Sequence, residues 1–242
     1  MARAHKFSAQ EQEERILAAA AKCIEESSLL DFTMSSIGKE AGLSMGSIYK
    51  HIQTKEDVLV ALATQTYKKL ERTLSRILEL PLTMPERLIA FSLITPEKVR
   101  LYPFDDHLEM LIGNEAILKR ASSGWIEKLM RLDQSLEKYF IDTLRSNVEE
   151  GELLVAEVER EGILEEILVS LWAMCVGYRQ VVFQRHARSL VGEPMKLPFP
   201  LAANDHFINT VRRLLNTYPW RQPLTDEGIE KTCRVLVQSG MR

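Results

Sequence analysis

Apolar residues recur at steps of three and four almost throughout the chain, which is the period of an α-helix. Ser8 and Glu11 form a capping box ahead of Ile16, Ala20 and Ile24, so a first helix is expected to run to about Ser27. After a short turn at Asp31 and Phe32, Thr33 caps a second, short helix ending at Ala41, where Gly42 can take the left-handed conformation that stops it. Ser44 then caps a third helix through His51. Thr54, followed by Lys55, Glu56 and Asp57, opens a long fourth helix to about Leu80, which Pro81 and Pro85 break.

Beyond Pro81 the helices become longer and more apolar. First-turn prolines predict short helices over 85–94 and 96–101, and a segment from Phe104 to Ile112 precedes Asn114. Ser122-Ser123-Gly124 reads as a break before a long helix from Trp125 to Glu150, closed by Gly151. Glu161–Ala187 is a second long helix, Gly192–Pro200 a loop, and Asn204–Tyr218 and Asp226–Gln238 the last helices. The fold class is therefore all-α. A three-helix N-terminal domain (1–55) is joined to a larger helical domain (56–242), with the boundary inside the fourth helix.

The helix from Glu161 has apolar residues on two faces. One stripe holds Leu164, Leu168, Leu171, Cys175, Tyr178 and Val182, and another holds Ile163, Ile167, Met174 and Val181. A helix hiding two faces is either central in its domain or gives one face to another subunit. Phe207, Val211, Leu214 and Tyr218 would complete such a surface.

The chain has 242 residues, 31 Lys plus Arg against 34 Asp plus Glu, and 45% hydrophobic residues, an ordinary globular composition with net charge −3. That balance excludes a general coat of positive charge, so any contact with nucleic acid must be local. Uninterrupted apolar runs such as Leu168–Val176 fall short of the ~20 residues that span a bilayer, and no apolar signal core follows Met1–Lys6. A cytoplasmic protein without a membrane partner is expected. Cys23, Cys175 and Cys233 lack CxxC spacing, which argues against a disulfide framework or a thiolate metal site. No GxSxG, phosphate loop, HExxH or His-Cys pair is present, and His107 beside Asp105 and Asp106 has no second His one turn away. No catalytic residue, metal site or cofactor is expected. An enzyme would have to rest on scattered acids such as Asp105, Asp106 and Glu109, which read more simply as solvated groups.

The two short helices joined at Gly42 have helix-turn-helix spacing. Ile37, Ala41, Leu43, Ile48 and Ile52 face inward as a small core, leaving Met45, Gly46, Ser47, Tyr49, Lys50 and His51 outside or at the exposed start of the third helix. Glycine within a helix costs ~1 kcal/mol against alanine, so Gly46 suggests that something outside approaches the backbone closely. From Thr33 to Lys55, Lys39, Lys50 and Lys55 oppose only Glu40, a local charge of +2 that favours phosphate. Arg3 and Lys6 form an N-terminal arm suited to a backbone or minor groove. The residues alone fit a small helical bundle with a solvated face equally well.

The run from Thr33-Met-Ser-Ser-Ile through Ala41-Gly-Leu-Ser-Met-Gly-Ser-Ile-Tyr-Lys-His51 to Lys55-Glu-Asp-Val-Leu resembles the DNA-binding signature of TetR-family transcriptional regulators. The shared pattern is a Thr-led helix, an Ala-Gly-aliphatic-Ser turn, a Gly-containing recognition helix ending in Tyr-x-His, and a Lys soon after. The likeness covers about Ile16 to Leu62, with Ile52 where the family usually has Phe. It implies that Thr33 and Ser35 approach the DNA backbone and that Ser44, the cap, lies at the same interface. Met45, Gly46, Ser47 and Lys50 would face base edges, and Tyr49, His51 and Lys55 would grip phosphates. Lys50 can donate to guanine, Ser47 to either base type, and Met45 can touch only a thymine methyl, so part of the specificity is expected from DNA shape. Alternative roles are a core aromatic for Tyr49 and a turn-closing residue for His51.

The resemblance further implies a ligand-responsive regulator, a repressor released from a double-stranded DNA operator by a small, mostly apolar effector. It implies a homodimer through helices 161–187 and 204–218. Phe104, His107, Leu111, Trp125, Leu129, Trp172, Cys175, Tyr178 and Arg179 are the candidate effector contacts. The same aromatics equally suit a solid core, and Arg179 an intersubunit salt bridge. The rival readings are an enzyme and a helical adaptor that keeps the helix-turn-helix shape without binding an operator.

Overall fold

The computed structural model of the protein describes residues 7–192 and 196–242. Arg3 and Lys6 of the expected arm, and residues 193–195 of the expected 192–200 loop, lie outside the described residues. Among the described residues the chain is all-helical, apart from one antiparallel bridge between Leu153 and Trp220. The helices are α1 (Ala9–Glu26), α2 (Met34–Ala41), α3 (Met45–Ile48), α4 (Lys55–Leu78), α5 (Met84–Leu93), α6 (Asp105–Ile112), α7 (Glu115–Leu118), α8 (Ser123–Glu149), α9 (Arg160–Ala187), α10 (His206–Leu215) and α11 (Asp226–Gln238). They form two compact units, Met1–Lys69 with Arg100–Asp133 and Leu70–Val99 with Gln134–Arg242. The chain passes from one unit to the other inside α4, between Val99 and Arg100, and inside α8.

The first unit begins as its caps dictate. Ser8 Oγ accepts the Glu11 N–H at 3.2 Å, and the Glu11 carboxylate accepts the Ser8 N–H at 2.7 Å. That second bond holds the Glu11 carboxyl below its ordinary range. Ile16, Ala20 and Ile24 of α1 then bury in one core with Phe32, Ile37, Ile48, Ile52, Leu62, Leu108 and Leu129. Burying each of the larger side chains contributes about 1.5–3 kcal/mol.

Two local features differ from the sequence reading. Asn114 Oδ1 accepts the Ala116 N–H at 2.9 Å and starts α7, a single extra turn. The break expected at Ser122-Ser123-Gly124 is narrower and ends at Ser122. The Ser122 carbonyl accepts the N–H groups of Trp125 and Ile126 at 3.1 and 3.2 Å, so Ser123 and Gly124 are the first turn of the helix.

In the second unit the Glu86 carboxylate accepts the Thr83 N–H at 2.9 Å and pairs with Lys231 of α11 at 2.8 Å, tying the start of α5 to α11. The expected helix over 96–101 is one 3-10 turn, Pro96–Lys98. Thr73 Oγ1 donates to the Lys98 carbonyl at 2.7 Å. α10 ends at Leu215, three residues early: the Leu215 carbonyl accepts the Tyr218 N–H at 3.2 Å and Trp220 Nε1 at 2.7 Å, and Pro219, one turn on, has no N–H to continue the helix. Its start is set by Asp205, whose carboxylate caps the Phe207 N–H at 2.7 Å.

In α9, Leu164, Ile167 and Leu171 are buried, whereas Val169, Trp172 and Val181 are 49, 45 and 44% exposed. An 18-residue stretch of α9 has a mean hydropathy of 1.3, which makes the helix long and apolar enough to cross a membrane by length and composition. Its uninterrupted apolar runs look shorter because isolated polar residues divide them without lowering the average much.

Candidate nucleic-acid interface

The short helices are built from their caps. Thr33 Oγ1 accepts the Ser36 N–H at 3.0 Å, and Ser36 Oγ accepts the Thr33 N–H at 3.2 Å, fixing the first turn of α2. Gly42 closes α2 at φ +64°, a left-handed conformation that disfavours a side chain, and the Leu43 N–H reaches back to the Gly38 carbonyl at 3.1 Å. Arg15 of α1 donates to the Ala41 carbonyl at 3.2 Å, satisfying another acceptor at that helix end.

Ser44 Oγ then accepts the Ser47 N–H at 3.2 Å and starts α3. The expected helix through His51 is shorter. Regular helix ends at Ile48, and the Ile48 carbonyl accepts both the His51 N–H at 2.9 Å and the Ile52 N–H at 3.0 Å. The chain tightens there because Ile52 enters the core and Trp125 of α8 donates its indole N–H to the His51 carbonyl at 3.0 Å.

This folding sorts the expected interface residues. Ile37, Ala41, Ile48 and Ile52 are buried and Leu43 is half-buried against them. Thr33, Ser35, Ser44, Gly46, Tyr49 and Lys50 are exposed on the outside. Tyr49 is 48% exposed, which sets aside a core role for its ring. Met45, Ser47, His51 and Lys55 are half-buried. A Cβ on Gly46 would meet nothing nearer than Ser44 Oγ at 4.0 Å, so packing within the fold does not demand a glycine there. Lys55 Nζ donates to the Leu30 carbonyl at 2.9 Å and lies 4.5 Å from the centre of the Phe32 ring, so it also ties α4 to the turn before α2. Glu40 is paired with Lys22 at 2.6 Å, so the acid on this segment is already engaged.

A joint beneath the interface was not singled out in sequence. The Asp57 side chain is fully buried; its Oδ2 accepts the N–H groups of Gln53 at 2.8 Å and Thr54 at 3.2 Å, and its Oδ1 accepts that of Ser122 at 2.6 Å. Thr54 Oγ1 returns a bond to the Asp57 N–H at 2.9 Å. The Thr-x-x-Asp pattern at 54–57 signals such a cap, but nothing local in sequence points to Ser122. Around the joint, Arg120 pairs with Glu56 at 3.1 Å and Lys128 with Glu13 at 3.7 Å.

The candidate effector contacts fall in both units. In the first, Trp125 and Leu129 are buried and Phe104 and Leu111 half-buried in the same core cluster, with Phe104 stacked on Tyr102 at 5.1 Å, while His107 is exposed. In the second, Trp172 is exposed, and Cys175 is half-buried with its sulfur 3.8 Å from Ser92 Oγ. Tyr178 stacks on Phe207 at 3.9 Å and meets Phe199 edge-on at 6.4 Å, and Arg179 is half-buried. Phe207, Val211 and Tyr218, expected on a subunit surface, are half-buried, buried and buried within their own unit.

Asp105 and Asp106 are buried rather than solvated. Asp106 pairs with Arg100 at 2.5 Å. Burial pushes the Asp105 carboxyl up, against the bonds it accepts from the Tyr102 and Leu101 N–H groups and from Thr66 Oγ1. Burial, together with the Asp105 charge, pushes the Tyr102 hydroxyl up to about 12. Among the described residues, no group of three or more His, Cys, Asp or Glu is arranged to hold a metal ion.

Residues 16–62 match the family model for bacterial regulatory proteins of the TetR family. No curated protein sequence matches the chain. In fold the chain is similar to a TetR-family transcriptional regulator of Cytophaga hutchinsonii, with 14% identity over 90% of this chain and 100% of that one, at a TM-score of 0.59. It is also similar to a protein of Saccharomonospora viridis solved in complex with choline, with 18% identity over 86% of this chain and 96% of the other, at 0.55. Reduced NemR of E. coli is a third, with 14% identity, 86 and 98% coverage and a TM-score of 0.51.

Proposed function

We propose that the chain, whose residues 16–62 match the family model for bacterial regulatory proteins of the TetR family, is a homodimeric, sequence-specific DNA-binding regulator whose reading head is α2, the Gly42 turn and α3. The observation that carries the proposal is the outward array of Thr33, Ser35, Ser44, Gly46, Tyr49 and Lys50 on a buried Ile37–Ile48–Ile52 core. In this reading Thr33, Ser35, Tyr49, His51 and Lys55 hold phosphates, and Ser47 and Lys50 reach base edges. The open space around Gly46 supports a close approach by a groove wall.

One reading head covers too few base pairs for useful specificity, so two copies on a pseudo-palindromic duplex follow physically. Val169 and Trp172, three residues apart on one side of α9 and both exposed, support self-association, since large apolar side chains left open side by side are candidates for a partner surface. The partner of α10 in that interface is proposed with less of its own surface to offer, because Ile208, Val211 and Leu215 are buried in its own unit. The protein acts as a repressor in the cytoplasm, and a small effector favours a state in which the two heads no longer fit successive half-sites.

Selection from a random duplex pool by the natively purified protein, followed by gel-shift titration of the selected site, tests this reading. A pseudo-palindromic motif should emerge, and Lys50→Ala should weaken binding and relax base preference at one position by about 1–3 kcal/mol. Failure to enrich any motif in dilute salt, or Lys50→Ala leaving affinity unchanged, overturns it. Mass spectrometry of small molecules released from the same preparation tests the effector.

A further inference from the structure

Gly38 stands in the middle of α2 and is buried. Its φ is not among the positive values, so the backbone conformation itself does not call for glycine. Glycine is also the weakest helix former after proline, so its place there needs a reason. The reason is in the packing. A Cβ at position 38 would lie 3.5 Å from the Leu43 carbonyl oxygen and 3.8 Å from Ile48 Cγ1, both ordinary contacts, but 3.0 Å from Met45 Sδ. Of those neighbours, only the thioether of Met45 stands too close for a methyl group.

Met45 is the first residue of α3, four positions before Tyr49, so helical geometry gives both the same face. Yet Tyr49 points into solvent, whereas Met45 lies back over α2 with its sulfur against the Gly38 backbone and is half-buried. Interiors are close-packed, so the absent methyl at 38 and the thioether at 45 occupy one space between them.

We infer that Gly38 is a specificity-determining position of the reading head: by making room for Met45 it withdraws that side chain from the surface carrying Tyr49 and Lys50, leaving base contact to Ser47 and Lys50. The inference rests on the DNA-binding reading above and deepens it. Met45, expected from the family pattern to face base edges, is instead the packing partner of α2. A methyl at 38 would require the sulfur to give by a few tenths of an ångström, and a larger residue would take more of the seat that Met45 occupies.

The test is a cycle of Gly38→Ala, Met45→Ala and the double variant, read in two independent ways. Thermal melting judges the pairing without DNA. With Met45 present, Gly38→Ala should not raise Tm, because the sulfur must move. In the Met45→Ala background the same change should raise Tm by about 2–4 °C through helix propensity. Selection from random duplexes judges the readout. Met45→Ala should keep the base preferences of the parent within about twofold, whereas Gly38→Ala should alter preference at one half-site position by about fivefold or more, and the double variant should restore it.

Met45→Ala shifting a preference by about tenfold overturns the inference, as does an equal gain in Tm from Gly38→Ala with and without Met45. A parent that enriches no motif overturns the DNA-binding reading and the specificity role with it, while the melting cycle still decides whether residues 38 and 45 share one space.

Discussion

Replacing Asp57 by Ala removes the acceptor of three N–H groups at once, those of Gln53, Thr54 and Ser122, from a fully buried position. An unsatisfied buried donor costs about 1–3 kcal/mol. Gln53 is exposed and Thr54 and Ser122 are half-buried, so water can serve part of what is lost and the low end of that range applies. The expected destabilisation is about 3–5 kcal/mol. For a chain of this length 1 kcal/mol moves Tm by about 2–4 °C, so melting followed by circular dichroism should fall by about 6–20 °C. Asp57→Asn retains one acceptor oxygen, which can serve either the Ser122 N–H or the Gln53–Thr54 pair, and should lie between the two. Thr54→Ala provides the scale, since it removes only the hydroxyl that accepts the Asp57 N–H at 2.9 Å and should cost ~1 kcal/mol. Should Asp57→Ala melt no lower than Thr54→Ala, the carboxylate is not what holds α4 and the start of α8 together.

Trp125→Phe keeps an aromatic ring but loses the indole N–H to the His51 carbonyl, and should cost about 1–2 kcal/mol in denaturant titration; an unchanged midpoint refutes the role of that bond. The raised folded-state pKa of Asp105 means that the folded protein holds this proton more tightly than the unfolded chain. Its contribution to stability is full below the ordinary carboxylate range and is lost as pH rises through the raised value. Asp105→Asn should therefore flatten the fall in Tm as pH rises above the ordinary carboxylate range, and a steeper fall would contradict the assignment. Lys55→Ala should weaken duplex binding for all sequences alike and reduce the salt slope by about one charge per subunit. Lys55→Met should recover part of the stability through packing on Phe32 without recovering the salt slope, and equal salt slopes for parent and variant refute the phosphate role.

The elements legible in the sequence are those whose ends are set by neighbours within a few residues. Ser8 with Glu11, Thr33 with Ser36, and Gly42 with its positive φ act locally, and α1 and α2 begin and end where those residues stand. Elsewhere the bonds that accompany a helix end come from residues distant in sequence: Thr73 donates to the Lys98 carbonyl and Trp125 to that of His51, each beside a helix shorter than its apolar period, while α10 stops ahead of Pro219, which has no N–H to give. Asp57 belongs to both groups. Its cap on Thr54 is written in the local pattern, and its bond to Ser122, 65 residues away, is not.

The same division holds for the interface and for the larger helices. Spacing assigns a residue to a face, but only the neighbour across the gap decides whether that face is spent. Met45 and Tyr49 are four residues apart and share a side of α3, yet Met45 is half-buried with its sulfur against Gly38 while Tyr49 is exposed. On α9 the two apolar stripes drawn in sequence do not sort into a covered and an open face: Leu164 and Leu171 of one and Ile167 of the other are buried, while Val169 and Trp172, which lie in neither, are open on one side. If the proposed dimer covers that open face, Trp172→Glu should leave the far-ultraviolet circular dichroism intact and convert the sedimenting species to a single subunit. Burying a carboxylate against an apolar partner costs far more than the indole contributes. A dimer of undiminished affinity in Trp172→Glu would place the subunit contact elsewhere and leave the exposed Val169 and Trp172 without the role proposed for them.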